Sequence, residues 1–90
     1  MCSRDYVVEF LTRLLREVGK IAPDRIREDS TLEGDLQMQS VAFIEIQVAL
    51  EEEFDIEVDL LEVVEINQLG GIFDYIYRLA AESLDQTRHC

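Results

Sequence analysis

Between Glu28 and Tyr77 the chain has no lysine or arginine, against fourteen aspartates and glutamates. Its eight basic residues stand at 4, 13, 16, 20, 25, 27, 78 and 88, and the formal charge of the 90 residues is −12. Such a surface repels phosphates, which excludes nucleic acid and anionic membrane as natural partners. Basic proteins are expected instead, drawn by a field that added salt weakens. A solubilising acidic surface is the blander reading, but the acids gather around one helix and its flanks. No apolar run approaches the roughly 20 residues that span a bilayer. No basic-then-apolar leader is present either, so the expected location is the cytoplasm. Histidine occurs once, as His89 beside Cys90, which leaves a serine or cysteine nucleophile without a base. Cys2 and Cys90 lie at opposite ends and make neither a metal spacing nor a disulfide framework. P-loop, Gly-x-Gly-x-x-Gly and calcium-loop patterns are missing. The expectation is a chain with no metal and no catalytic activity of its own.

What is present is helical periodicity. Ninety residues form one small domain, 1–90, with an ordered core expected over about 4–80; domains of this size bury only roughly 60–70 % of their unfolded surface. Ser3 can cap a first helix with Asp5 in its opening turn. Val7, Phe10, Leu11, Leu14 and Val18 then keep a helical period up to Gly19, a plausible stop before Pro23. Residues 20–39 are too long for an ordinary connection. They must be pinned by Ile21, Ile26, Leu32, Leu36 and Met38 and can hold a short helical turn. Asp59-Leu60-Leu61-Glu62 has the pattern of a capping box opening a short third helix to about Ile66. Asn67 is expected to cap a fourth helix, in which Leu69, Ile72, Phe73, Ile76, Leu79 and Ala80 recur at three or four. Gly70 and Gly71 in its first turn each cost about 1 kcal/mol against alanine, so close packing, or else a helix pair loosened for a guest chain, must account for them. The last residues, about 85–90, are expected to fray. Periodicity alone gives a small all-α bundle.

The chain is organised around residues 35–58. A polar loop delivers Ser40 to the start of a helix running to about Phe54, in which Phe43, Ile46, Leu50 and Phe54 form a core stripe. A second apolar row, Val41, Ile44 and Val48, is too wide for one bundle to hide fully, and Glu45, Glu51, Glu52 and Glu53 surround it. Taken alone, Ser40 is a helix-opening residue, and Ile44 and Val48 can equally complete the core. A hydroxyl at that place can also carry a phosphate ester, next to unsatisfied N–H groups and the positive end of the helix dipole.

Gln39-Ser40-Val41 and Leu50-Glu51-Glu52-Glu53-Phe54 resemble the acyl carrier proteins, in which an Asp-Ser-Leu motif opens a helix ending in Leu-Glu-Glu-x-Phe. The likeness continues through Asn67-Gln68-Leu69 and Asp74-Tyr75-Ile76, and upstream through Ile26, Asp29, Ser30, Thr31 and Leu32. It covers roughly residues 4–80. The resemblance implies a four-helix bundle of three longer helices and one short one, with a long loop between the first two. It further implies a 4'-phosphopantetheine arm on Ser40, attached by a phosphopantetheinyl transferase, whose thiol holds acyl groups as thioesters for other enzymes. Gln39, Val41, Ile44, Glu45, Val48, Glu51 and Glu52 are the implied contacts for partner enzymes with basic patches, the carrier itself being a monomer.

Three departures shade this picture. Gln39 stands where the family has aspartate, Val41 where it has leucine, and Ala42 where an acid is frequent. They point away from a housekeeping fatty-acid carrier, toward a discrete carrier of a specialised pathway such as polyketide synthesis. Gln39 also leaves open an unmodified, carrier-like acidic interaction or regulatory module. A peptidyl carrier is the third reading; its Gly-Gly-His/Asp-Ser signature is not matched, since Gly34 stands six residues before Ser40.

Overall fold

Four α-helices carry the chain: α1 (Arg4–Glu17), α2 (Ser40–Phe54), α3 (Leu60–Ile66) and α4 (Leu69–Thr87), with a 3-10 turn at Pro23–Arg25. They come from a computed structural model that describes residues 3–87, with side chains to Glu82. Among the described residues no strand forms; Thr31 and Gln68 make one isolated antiparallel bridge. The expected all-α bundle of three longer helices and one short helix is therefore the observed one. Cys2, His89 and Cys90 lie outside the described residues. α4 continues to Thr87, into the stretch expected to fray.

α1 starts as its sequence predicts. Ser3 Oγ accepts the N–H of Tyr6 at 3.2 Å, and Asp5 sits in the first turn. Val7, Leu11 and Leu15 face the core. Its end differs from expectation, because the residue with positive φ is Lys20 (φ 59) and not Gly19. Gly19 answers a demand for space instead: a Cβ there would lie 2.5 Å from Met38 Sδ and 2.8 Å from the Leu15 carbonyl.

The long connection is tied down by its apolar residues and by its backbone. Ile21 and Leu36 are buried, while Ile26, Leu32 and Met38 pack partly against the core. Ser30 is fully buried, yet its hydroxyl is satisfied locally: Oγ accepts from Arg27 N–H at 2.9 Å and donates to Arg25 O at 2.6 Å.

This loop, rather than Asn67, caps α4. The N–H of Leu69 donates to Ser30 O at 2.7 Å, and that of Gly70 to Glu28 O at 2.8 Å. The loop approaches so closely that a Cβ on Gly70 would meet Glu28 Oε1 at 2.5 Å. Gly71 has the same reason, Ile66 Cγ2 lying 2.6 Å from its would-be Cβ. Arg4 closes the corner from α1, donating to Glu28 at 2.8 and 3.0 Å, to Asp74 at 2.6 Å and to Gly70 O at 3.3 Å. The guanidinium hydrogen bonds hold the Glu28 carboxyl below its ordinary pKa and raise that of Arg4 itself.

Asn67 is a turn residue. Its φ of 66 and ψ of −42 lie outside the usual regions, and Gln68 N–H donates to Ile66 O at 2.6 Å. An i→i+2 bond about a residue of positive φ is a γ-turn of the rarer, strained hand. Asn67 then spends its side chain on the long loop, accepting from Leu32 N–H at 3.0 Å.

α1 packs on both α2 and α4, and α3 packs on α4. Leu69, Ile72, Phe73, Ile76 and Ala80 are buried as the period predicts. At the far end of α2, Phe54 meets Tyr6 and Phe10 edge-on at 5.7 and 5.5 Å, the arrangement that aromatic quadrupoles favour. The Tyr6 hydroxyl donates to the Glu53 carboxylate, which raises the phenol's pKa.

Candidate functional site

Leu36 to Ile44 is a run without charge, and it carries the chain from the pinned loop into α2. The helix spans Ser40–Phe54, the limits its periodicity predicts. Ser40 is its first residue. The position before it belongs to Gln39, whose extended backbone (φ −73, ψ 154) suits a cap but whose side chain makes no capping hydrogen bond. The first turn contains no acid. The opening amides of α2 thus have no side-chain acceptor, and the dipole's positive end is not neutralised. Ser40 itself is exposed, and its hydroxyl has no protein hydrogen-bond partner. A nucleophilic oxygen is offered to solvent beside donors that favour an anion.

The two apolar rows of α2 separate as expected. Ile46, Leu50 and Phe54 are buried and Phe43 is half-buried, whereas Val41, Ile44 and Val48 are 63 %, 54 % and 45 % exposed. Gln39, Glu45 and Glu52 are exposed near that row. Glu51 differs from its companions. It is half-buried, and its Oε2 accepts the N–H of Val58 at 2.9 Å, so part of its capacity serves the fold.

α3 supplies site residues that the sequence reading missed. Asp59 caps it as expected, its Oδ1 accepting from Leu61 N–H at 2.9 Å. The other half of the capping box does not form: Asp59 N–H donates to the Tyr75 hydroxyl at 3.1 Å, not to Glu62. Of the seven residues of α3 only Val63 is buried, and Leu61 and Val64 are 77 % and 56 % exposed. Seven residues are too few for periodicity to reveal an outer face; Leu60-Leu61 and Val63-Val64, two adjacent apolar pairs on one short helix, were the available signal.

Between α2 and α3 lies a groove of about 250 Å³, lined by Ser40, Phe43, Ile44, Leu60, Val63 and Val64. Apart from the Ser40 hydroxyl, its side chains are all apolar. Beneath it is a core cavity of about 40 Å³ whose walls include Leu36, Phe43, Ile46, Leu60 and Val63. Gln47 is the one polar residue on that cavity, and its Nε2 donates to Val58 O at 2.9 Å. Phe43, Leu60 and Val63 are common to both spaces. Among the described residues no helix is long and apolar enough to cross a membrane.

Comparison with known proteins bears on the same stretch. The family described as a phosphopantetheine attachment site matches residues 9–76. An acyl carrier protein of Campylobacter hominis is 34 % identical over 76 residues, covering 84 % of this chain and 86 % of its own. One from Rhodococcus erythropolis is 25 % identical over 83 residues, 92 % of this chain and 91 % of its own. A meromycolate extension acyl carrier protein of Mycolicibacterium aurum is 22 % identical over 81 residues, 90 % of this chain and 84 % of its own.

Proposed function

Because the chain belongs to the acyl carrier protein family, which carries covalent 4'-phosphopantetheine, we propose that Ser40 is its attachment point and that it hands acyl thioesters between biosynthetic enzymes. The observation that carries this reading is the exposed hydroxyl of Ser40, free of protein hydrogen bonds, on the first residue of α2. The surroundings fit the group. A phosphodiester on that oxygen meets unclaimed amides and no acid in the first turn, a fixed electrostatic environment that tolerates an anion even on a chain of charge −12. The arm supplies the thiol chemistry; the chain supplies position and charge.

In this reading the chain is one non-catalytic carrier domain, working as a monomer in the cytoplasm. The transferase and the acyl-transferring or condensing enzymes bring their basic patches against Gln39, Val41, Ile44, Glu45, Val48, Glu51 and Glu52. Covering each half-exposed valine or isoleucine contributes about 1 kcal/mol, and the acids guide the approach. The uncharged residues about Ser40 support a discrete carrier of a specialised pathway, polyketide or fatty-acid in type. Intact mass after incubation with coenzyme A and a phosphopantetheinyl transferase tests the assignment. Wild type gains one phosphopantetheine and Ser40→Ala gains none; equal gain in both would place the arm elsewhere.

Gln39 favours a second reading, an acidic interaction module that is never modified. Protein isolated unmodified from its own source, while its pathway runs, would establish it.

A further inference from the structure

The charge of the chain is polarised. Residues 10–27 hold five basic residues against two acids, and the remainder holds three against eighteen. Three of the five, Arg13, Arg16 and Lys20, are exposed. Arg13 and Arg16 are three apart on α1 and so are neighbours on its surface; Lys20 follows just past its end. All three line an open cleft of about 1140 Å³ with Tyr6, Phe10 and Pro23. The rings of Tyr6 and Phe10 stand 6.2 Å apart, and the Arg13 guanidinium lies 5.5 Å over the second of them.

Among the described residues no carboxylate pairs with Arg13, Arg16 or Lys20, although the chain has twenty acids to offer. The dipole of α1 accounts for Arg16, which stands in the last turn. Its field fades before Arg13, and Lys20 lies beyond the cap. Two of the three cations therefore answer no demand of the fold.

The same cleft is lined by Asp5, Glu9 and Glu17, which repel an anion charged along its whole length. A peptide can divide its character. It can lay apolar side chains over Tyr6 and Phe10 and keep its carboxylates for Arg16 and Lys20, where a guanidinium takes a carboxylate in two parallel bonds. From Phe10 to Arg16 the helix rises about 9 Å, a span of about three extended residues.

We propose that this cleft docks a peptide segment of a partner protein, apolar at one end and rich in carboxylates at the other. Its lining shares no residue with the Ser40 groove. The chain can thus stay tethered to one partner by α1 while a basic enzyme works at α2. Neither Ser40 nor its modification takes part.

Amide chemical shifts of the full, unmodified chain at low salt decide it. The probe is a peptide of two phenylalanines and four glutamates, in either order. The amides of Arg13, Arg16 and Lys20 should shift to saturation, and those of Ile44 and Val48 should stay. Glutamine in place of the glutamates, or alanine in place of the phenylalanines, should weaken binding several-fold. Arg16→Gln with Lys20→Gln should weaken it about tenfold, the worth of two exposed ion pairs. Arg16→Lys with Lys20→Arg should retain it, as should Arg78→Gln, which removes a cation outside the cleft. Shifts centred on α2, equal affinity for the glutamine peptide, undiminished affinity in the double glutamine variant, or equally tight binding of inorganic polyphosphate overturns the docking site. Failure of wild type to load on Ser40 would remove the carrier reading and leave these outcomes as they stand.

Discussion

Asn67 accepts the N–H of Leu32 twice, through its carbonyl oxygen at 2.9 Å and its side-chain Oδ1 at 3.0 Å. Residues 35 apart in sequence are thereby joined at the point where α3 turns into α4. The strained backbone of Asn67 persists because the loop that delivers Ser40 over-determines it.

Replacing Asn67 separates strain from bonding. Glycine keeps the positive φ at no steric cost but loses Oδ1, and should cost about 1 kcal/mol; alanine loses both and should cost about 2 kcal/mol. Chemical denaturation midpoints read the difference. Equal losses would show that the backbone conformation is not strained.

The exposed row of α2 should be neutral for folding and important for docking. Ile44→Ala and Val48→Ala should shift stability by no more than about 0.5 kcal/mol, since both side chains already face solvent. Each should weaken transferase binding several-fold, measured by calorimetry. A large loss of stability would place these residues in the core after all.

Charge reversal distinguishes steering from contact. Glu45→Lys and Glu52→Lys should slow association with a basic partner enzyme, and rising salt should slow wild type more than either variant. Stopped-flow association rates at several ionic strengths measure this. Rates independent of salt in wild type would remove electrostatic docking.

The Arg4–Glu28 pair makes stability depend on pH in a definite direction. Arg4 depresses the Glu28 pKa in the folded chain, so near that pKa the folded chain binds fewer protons than the unfolded one. The pair's contribution is complete above the unfolded pKa and is lost as pH falls through the folded value. Both side chains are more than a third exposed or close to it, so the effect is small. Arg4→Gln should flatten the acid limb of the stability–pH curve below about pH 4.5; an unchanged limb would show that the pair is screened out.

α2 and its serine were legible in the sequence because fifteen residues give periodicity room to declare itself. Ile46, Leu50 and Phe54 inward, with Val41, Ile44 and Val48 outward, follow from counting by three and four. The caps were less legible. Asn67 has the chemistry of a helix cap, and only the tertiary arrival of Ser30 and Glu28 carbonyls at Leu69 and Gly70 reassigned it. Gly19 likewise reads as a stop, until Met38 is seen to need its space. Glu51 could not be told from Glu52 by any local rule. Its tie to Val58 spans the turn after α2, and a turn's path is set by packing.

Gln39, the residue before α2, has a side chain that closes none of the helix's opening amides. On the proposal that Ser40 carries the arm, the ester's oxygen atoms would stand beside the amides that Gln39 leaves open, as acceptors the unmodified chain does not supply. The expected consequence is that the loaded chain melts later than the unmodified one.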